Sequence, residues 1–190
     1  MTPGLALAPS ALIIAMAAIL VSGEYLKRLA GARPVKVRAS VLASGGLKPA
    51  RRAAQAARKA YEMAGVGPDA IDTAEVHDAT AFGELAMSEH LGFCAEGDGG
   101  RHAESGATRL GGVRPLNPSG GLECRGHPIG ATGLAQIAEL VQQLRGDAGE
   151  RQVEGARLGL AENGGGFIGS GEAAIAIHIL EAPPRAGREA

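Results

Sequence analysis

Hydrophobic and polar positions follow two periods along this chain, and the boundaries between them fall at glycines and prolines. "PVKVRASVLAS" (34–44) alternates small or β-branched residues with charges, as a strand with one wetter end does. "DTAEVHD" (72–78), "ARLGLAE" (156–162) and "EAAIAIHIL" (172–180) read as further short strands. The apolar run "ALIIAMAAILV" (11–21) reads as a buried strand, because its eleven residues are too few for a bilayer span of about 20. Helical spacing takes over in "PARRAAQAARKAYEMAGV" (49–66), with Pro49 at the first helical position and Gly65 at its stop. It recurs in "FGELAMSEHLGF" (82–93) and briefly in "GEYLKRLAG" (23–31), closed by Gly31. The clearest helix is "TGLAQIAELVQQLRG" (132–146), where Leu134, Ile137, Ala138, Val141 and Leu144 share one face and Gln and Glu lie opposite.

The remaining segments have no period. Residues 94–116 read as an excursion loop, "NGGGFIGSG" (163–171) as the connection of the last two strands, and "EAPPRAGREA" (181–190) as a disordered tail. Residues 1–10 read as a poorly ordered start, so 1–180 form one domain. Strands alternating with helices predict a layered α/β domain whose sheet ends in a hairpin.

Composition narrows the function classes. A formal charge of −1 and a pI near 6.5 give no basic surplus for nucleic acid, and five Phe and Tyr with no Trp leave little to stack on bases. Cys94 and Cys124 fit no metal spacing and suggest reduced thiols in a cytosol; neither has an activating base in sequence, so both read as inert. Arg51, Arg52, Arg58 and Lys59 read as a solvated helix face rather than a cradle for an acidic cofactor. No lysine or arginine precedes the first apolar run, so a secretory leader is not expected, nor is a membrane span.

Thirty glycines, about twice the usual share of roughly 7%, cluster at 111–133 and 164–171. "GGGFIG" (164–169) matches a dinucleotide-binding pattern, but a strand rather than a helix follows it, so that reading is set aside. Its backbone N–H groups remain able to face a developing oxyanion. "NPSGGLECRGHPIGATG" (117–133) holds five glycines around His127. Such density fits either a tight irregular connection or close approach of a ligand to bare backbone. Pro128 stiffens the chain there, Gly126 and Gly130 clear space on both sides, and His127 before a helix reads as functional. "EVHDATAF" (75–82) sets His77 and Asp78 at the C-terminal end of a strand, where open α/β sheets present binding residues. His77 taken alone reads more readily as a strand-end histidine bonded to backbone.

In order, these segments resemble the C-terminal half of a thiolase, within it the sterol-carrier (lipid-transfer) branch. The likeness is nearly continuous over 117–160, includes "EVHDATAF" at the HDCF segment and "AENGGG" at the CxGGG segment, and fades towards the start. It implies a three-layer α/β/α half around a five-stranded mixed sheet. It implies that His127, the GHP histidine, donates a ring N–H to the thioester oxygen of acyl-CoA. His77 then stands where related enzymes hold an oxyanion-hole water, and the backbone N–H of Gly164 serves the second oxyanion. The family nucleophile belongs to an N-terminal half that these residues do not include. The HDCF cysteine is Ala79 and the CxGGG cysteine is Glu162, which acts either as a base of raised pKa or as an ordinary hydrogen-bonded carboxylate.

Three readings follow from the resemblance. The chain is half of an enzyme performing Claisen chemistry or retro-aldol cleavage on a coenzyme A thioester, with no bound cofactor and no metal. Alternatively it is a non-catalytic subunit, or a truncated frame inactive alone. The expected partners are acyl-CoA, a thiolase N-terminal half and an OB-fold protein, in a homo- or hetero-oligomer.

Overall fold

The computed structural model describes residues 16–44, 51–168 and 171–183. Its four strands form one mixed sheet in the order β1-β4-β3-β2. β1 (Lys36–Ser44) and β3 (Leu158–Ile168) both run antiparallel to β4 (Gly171–Glu181), and β2 (Thr73–Glu75) runs parallel to β3. The helices are α1 (Gly23–Leu26), α2 (Arg52–Ala64), α3 (Ala81–His90), α4 (Gly99–Glu104), α5 (Gly121–Arg125) and α6 (Thr132–Arg145).

Alternation along the strands separates two cores. Ala39, Val41, Leu160, Ile175, Ile177 and Ile179 face α2 and α3, where Ala53, Ala56, Ala57, Ala60 and Met87 meet them. On the opposite face Ala161 and Leu180 meet Leu140 and Leu144 of α6, with Val153 and Ala182 beside them. The result is the expected α/β/α layering. α2 lies over β1 and β4, whereas α6 lies over β3 and β2. Among the described residues no helix covers the α6 side of β1, and Leu42 is 75% exposed there.

Several expectations change. The sheet has four described strands, not five. Of the run 11–21, residues 11–15 lie outside the described residues, and 16–22 form no strand. Ile19 and Leu20 are 90% and 84% exposed, because none of the described layers covers them. Pro49 and residues 1–10 also lie outside the described residues. The glycines after Asn163 are not a loop. Gly164 and Gly165 pair with Ile175 and Ala174, so β3 continues to Ile168 before the hairpin. Residues 181 and 182, expected in the tail, belong to the fold: Glu181 ends β4 beside Arg38, and Ala182 is buried with its N–H on the Arg157 carbonyl, while 184–190 lie outside the described residues.

The excursion at 94–116 contains α4 and is anchored. Arg114 is buried over the Phe93 ring and donates Nε–H to the Ile71 carbonyl at 2.9 Å. α3 stops at His90 because Phe93 N–H turns back to the Ser88 carbonyl, with Gly92 in the left-handed region at φ 76°. α6 departs furthest from its sequence reading. Gln136, Glu139 and Gln143 are buried against the sheet, and Leu134, from the face expected inside, is 41% exposed.

Candidate active site

β2 ends after three residues because side chains take the next backbone donors. Val76 N–H goes to Asn117 Oδ1 at 2.8 Å, and His77 N–H to Glu162 Oε2 at 3.0 Å. His77 and Asp78 thus leave the sheet at the C-terminal end of β2, beside the loop that carries His127.

That loop hangs from β2 by polar anchors. Glu75, fully buried, accepts both the backbone N–H and the hydroxyl of Ser119, at 3.0 and 2.6 Å. Arg125 approaches Glu75 at 3.8 Å, and burial still raises the Glu75 carboxyl to about 7. Asn117, at φ 47°, donates Nδ2–H to Glu84. Asp78 is 3% exposed and accepts the Leu122 N–H at 2.7 Å, which caps α5 from a separate element. Its carboxylate fills the space a side chain at Gly121 would need, and Gly121 lies at φ 61°. Of the two explanations for the glycine cluster, a tight irregular connection accounts for this position. Gly126, at φ 84°, closes α5 directly before His127, whereas Gly130 has open space around its Cα.

The loop brings His127 against His77, fifty positions away in sequence, with ring centroids 4.8 Å apart and planes at 82°. Each ring has one nitrogen engaged. His77 Nδ1 lies 2.7 Å from Asn163 Oδ1, and His127 Nδ1 lies 2.8 Å from the hydroxyl of Thr132, which is fully buried. Burial, then His77 and Arg125, lower the pKa of His127 below its ordinary 6.5, so the imidazole is neutral at pH 7. Exposed Phe82, Ile129 and Phe167 occur in the same segments, at 78%, 84% and 90% exposure.

Glu162 sits in β3 with its side chain wholly buried and its carboxyl raised to about 7, chiefly by desolvation. Oε2 holds the His77 N–H, and Oε1 has no hydrogen-bond partner. A Cβ at Gly164 would stand 3.4 Å from that oxygen and 3.1 Å from Glu172. Burial is complete rather than partial, which strengthens the raised-pKa alternative of the sequence. Ala79, between Asp78 and α3, is exposed and supplies no functional group.

Sequence profiles and curated relatives converge on the same region. A thiolase C-terminal domain-like family profile matches residues 26–178. The chain belongs to that family. The acetyl-CoA acetyltransferase of Methanothermobacter thermautotrophicus is 48% identical over 155 residues, covering 77% of this chain and 39% of the relative. Sterol carrier protein 2 of Rattus norvegicus is 51% identical over 121 residues, 64% of this chain and 21% of the relative. The benzoylsuccinyl-CoA thiolase subunit BbsB of Thauera aromatica is 37% identical over 145 residues, 73% of this chain and 38% of that one. Among solved structures, an Ltp2-ChsH2(DUF35) aldolase superposes with a TM-score of 0.67 at 23% identity, over 80% of this chain and 41% of its own, which is a likeness of fold. This thiolase C-terminal domain spans well under half the length of these proteins.

Of the residues expected in the thiolase-type site, His127, His77, Glu162 and Gly164 lie in one connected group. Asp78 and Gly126 shape the loop instead of facing open space. Asn163, Thr132, Glu75 and Ser119 were not singled out from sequence. Their signals are faint: Thr132 is a small hydroxyl five residues after a histidine, and Glu75 is a lone acid in a strand. Among the described residues no three His, Cys, Asp or Glu side chains gather as metal ligands, and no helix is long and apolar enough to cross a membrane. Cys124 is exposed on α5, and burial raises the Cys94 thiol, which leaves it less nucleophilic. Arg51 pairs with Glu96, while Arg58 and Lys59 are solvated as expected.

Proposed function

We propose that this domain supplies the oxyanion-forming half of a thiolase-type site acting on an acyl-CoA thioester, completed by a thiolase N-terminal half on the same or another chain. The contact of His127 with His77 carries the reading. Two imidazoles, each tied at Nδ1, keep a second nitrogen free to hold the thioester oxygen and a water beside it. As the α-proton leaves and charge moves onto that oxygen, a fixed N–H donor stabilises the enolate more than the ground state. The backbone N–H of Gly164 is assigned to the second oxyanion. His77 and Gly130 complete the acyl-CoA surface, and no metal or bound cofactor takes part. The nucleophile comes from the N-terminal half.

A second reading, retro-aldol cleavage with an OB-fold partner, is favoured by the groups at two positions. Ala79 and Glu162 stand where thiolase chemistry uses cysteines, and a buried acid of pKa about 7 is a competent base. In that reaction a base takes the β-hydroxyl proton and the Cα–Cβ bond breaks. A carbonyl product departs, and the electron pair becomes an acyl-CoA enolate held by His127 until Cα is reprotonated.

Solvent-deuterium exchange at the acyl-CoA α-carbon, measured on the domain assembled with a thiolase N-terminal half, tests both readings. His127→Ala is expected to keep the fold and to slow exchange by about 10²–10³. Unchanged exchange removes His127 from the oxyanion site, and no exchange by the unmutated assembly leaves a binding or structural subunit.

A further inference from the structure

We infer that Thr132 is a positioning residue that sets the tautomer of His127: its hydroxyl proton is donated to Nδ1, so the ring's own proton sits on Nε2. The count of donors around Pro128 leads there. The Pro128 carbonyl already accepts the N–H of Ala131 at 2.8 Å and of Thr132 at 3.0 Å. Those two bonds occupy the two lone pairs of a carbonyl oxygen. The Thr132 hydroxyl reaches the same oxygen only at 3.2 Å, but lies 2.8 Å from the imidazole Nδ1. One hydroxyl proton cannot serve both, and the shorter, uncontested acceptor is the ring nitrogen. His127 is neutral near pH 7, so one ring proton remains, and it goes to the other nitrogen.

His77 is tied the other way round. Asn163 Oδ1 only accepts, so His77 Nδ1 carries a proton and donates it there. The two neighbouring rings are thus held by opposite bonds, His127 accepting at Nδ1 and His77 donating from it. The arrangement leaves the Nε2–H of His127 as a donor for an oxyanion. The assignment of that ligand rests on the proposed function, but the tautomer does not.

Long-range proton–nitrogen NMR of the full chain, with ¹⁵N-labelled histidine at pH 7.5, tests the inference without any substrate. The expected spectrum has His127 protonated at Nε2 only. Thr132→Ser should preserve it, and Thr132→Val, which keeps the shape and removes the hydroxyl, should give a mixture of both tautomers. A wild-type His127 protonated at Nδ1 overturns the inference, and needs no variant to fold. A folded Thr132→Val protein still wholly in the Nε2–H form overturns the role of Thr132. An assembly with a thiolase N-terminal half that proves unable to act on acyl-CoA refutes the proposed function while leaving this result intact.

Discussion

α2 and α6 have nearly the same length, 13 and 14 residues, and both end on a left-handed glycine, Gly65 and Gly146, yet they bury opposite kinds of residue. α2 turns Ala53, Ala56, Ala57, Ala60 and Ala64 to the sheet and leaves Gln55, Arg58, Lys59 and Glu62 in solvent. α6 buries Gln136, Glu139 and Gln143 with Leu140 and Leu144, leaves Leu134 exposed, and half-buries Ile137 and Val141 at the edge of the same core. The buried amides are bonded through all their described groups except Gln136 Oε1, which has no partner. Gln136 donates to the Glu162 carbonyl at 2.8 Å, and Gln143 donates to the Arg151 carbonyl at 2.7 Å and accepts the Val153 N–H at 2.7 Å. α2 is therefore an outer helix facing water. α6 is hydrogen-bonded inward and leaves an apolar residue, Leu134, exposed on its other side, as befits a helix with another layer to meet. A thiolase N-terminal half is the layer we propose.

The sharpest break of this contrast lies within α6. Leu140→Ala, at a fully buried position, should cost about 2–5 kcal/mol in urea unfolding. Leu134→Ala should cost under about 0.5 kcal/mol. Equal losses would mean that the outer face is already packed within this chain.

Next in size is a pH dependence between pH 5 and 8 that α2 cannot supply, since it buries only alanines and Tyr61, whose phenol is pushed up by burial, away from that range. Glu75 and Glu162 are raised from 4.5 to about 7, each by burial. Between those values the folded chain holds protons that the unfolded chain has released. Stability is accordingly fullest below 4.5 and falls as pH rises to about 7, by about 3 kcal/mol for each group at the full shift. Denaturant midpoints between pH 5 and 8 should show the fall, and Glu162→Gln should remove its share. A flat profile would mean that neither carboxyl is buried as described.

Gln143→Leu should cost about 1–3 kcal/mol, because it strands the Val153 N–H and the Arg151 carbonyl. Gln55→Leu on α2, an exposed site, should change the midpoint little. If the two substitutions cost the same, the inward amides of α6 are not structural. The smallest effect on stability belongs to Leu134→Glu, at the exposed position of α6. It should leave unfolding of the chain within about 0.5 kcal/mol, yet abolish co-purification with a thiolase N-terminal half. Retained association would move the docking face elsewhere.

The sequence by itself determined the order of elements, the alternation of β1, the alanine face and glycine stop of α2, and the place of His127 among glycines just before a helix. These are local properties: period, capping and backbone freedom act within a few residues, so they can be read along the chain. It misjudged which side of α6 faces inward, because amphipathicity names the apolar side but not which neighbour lies against it. Here the nearer neighbour offers the Glu162 and Arg151 carbonyls and the Val153 N–H, and amides match those better than leucines do. Only the tertiary structure brought His77 to His127, Thr132 to the ring, and Glu162 into full burial. Those contacts depend on where β2 ends against β3 and on how the loop hangs from Glu75 and Asp78. Each joins residues far apart in sequence, and no local spacing encodes them.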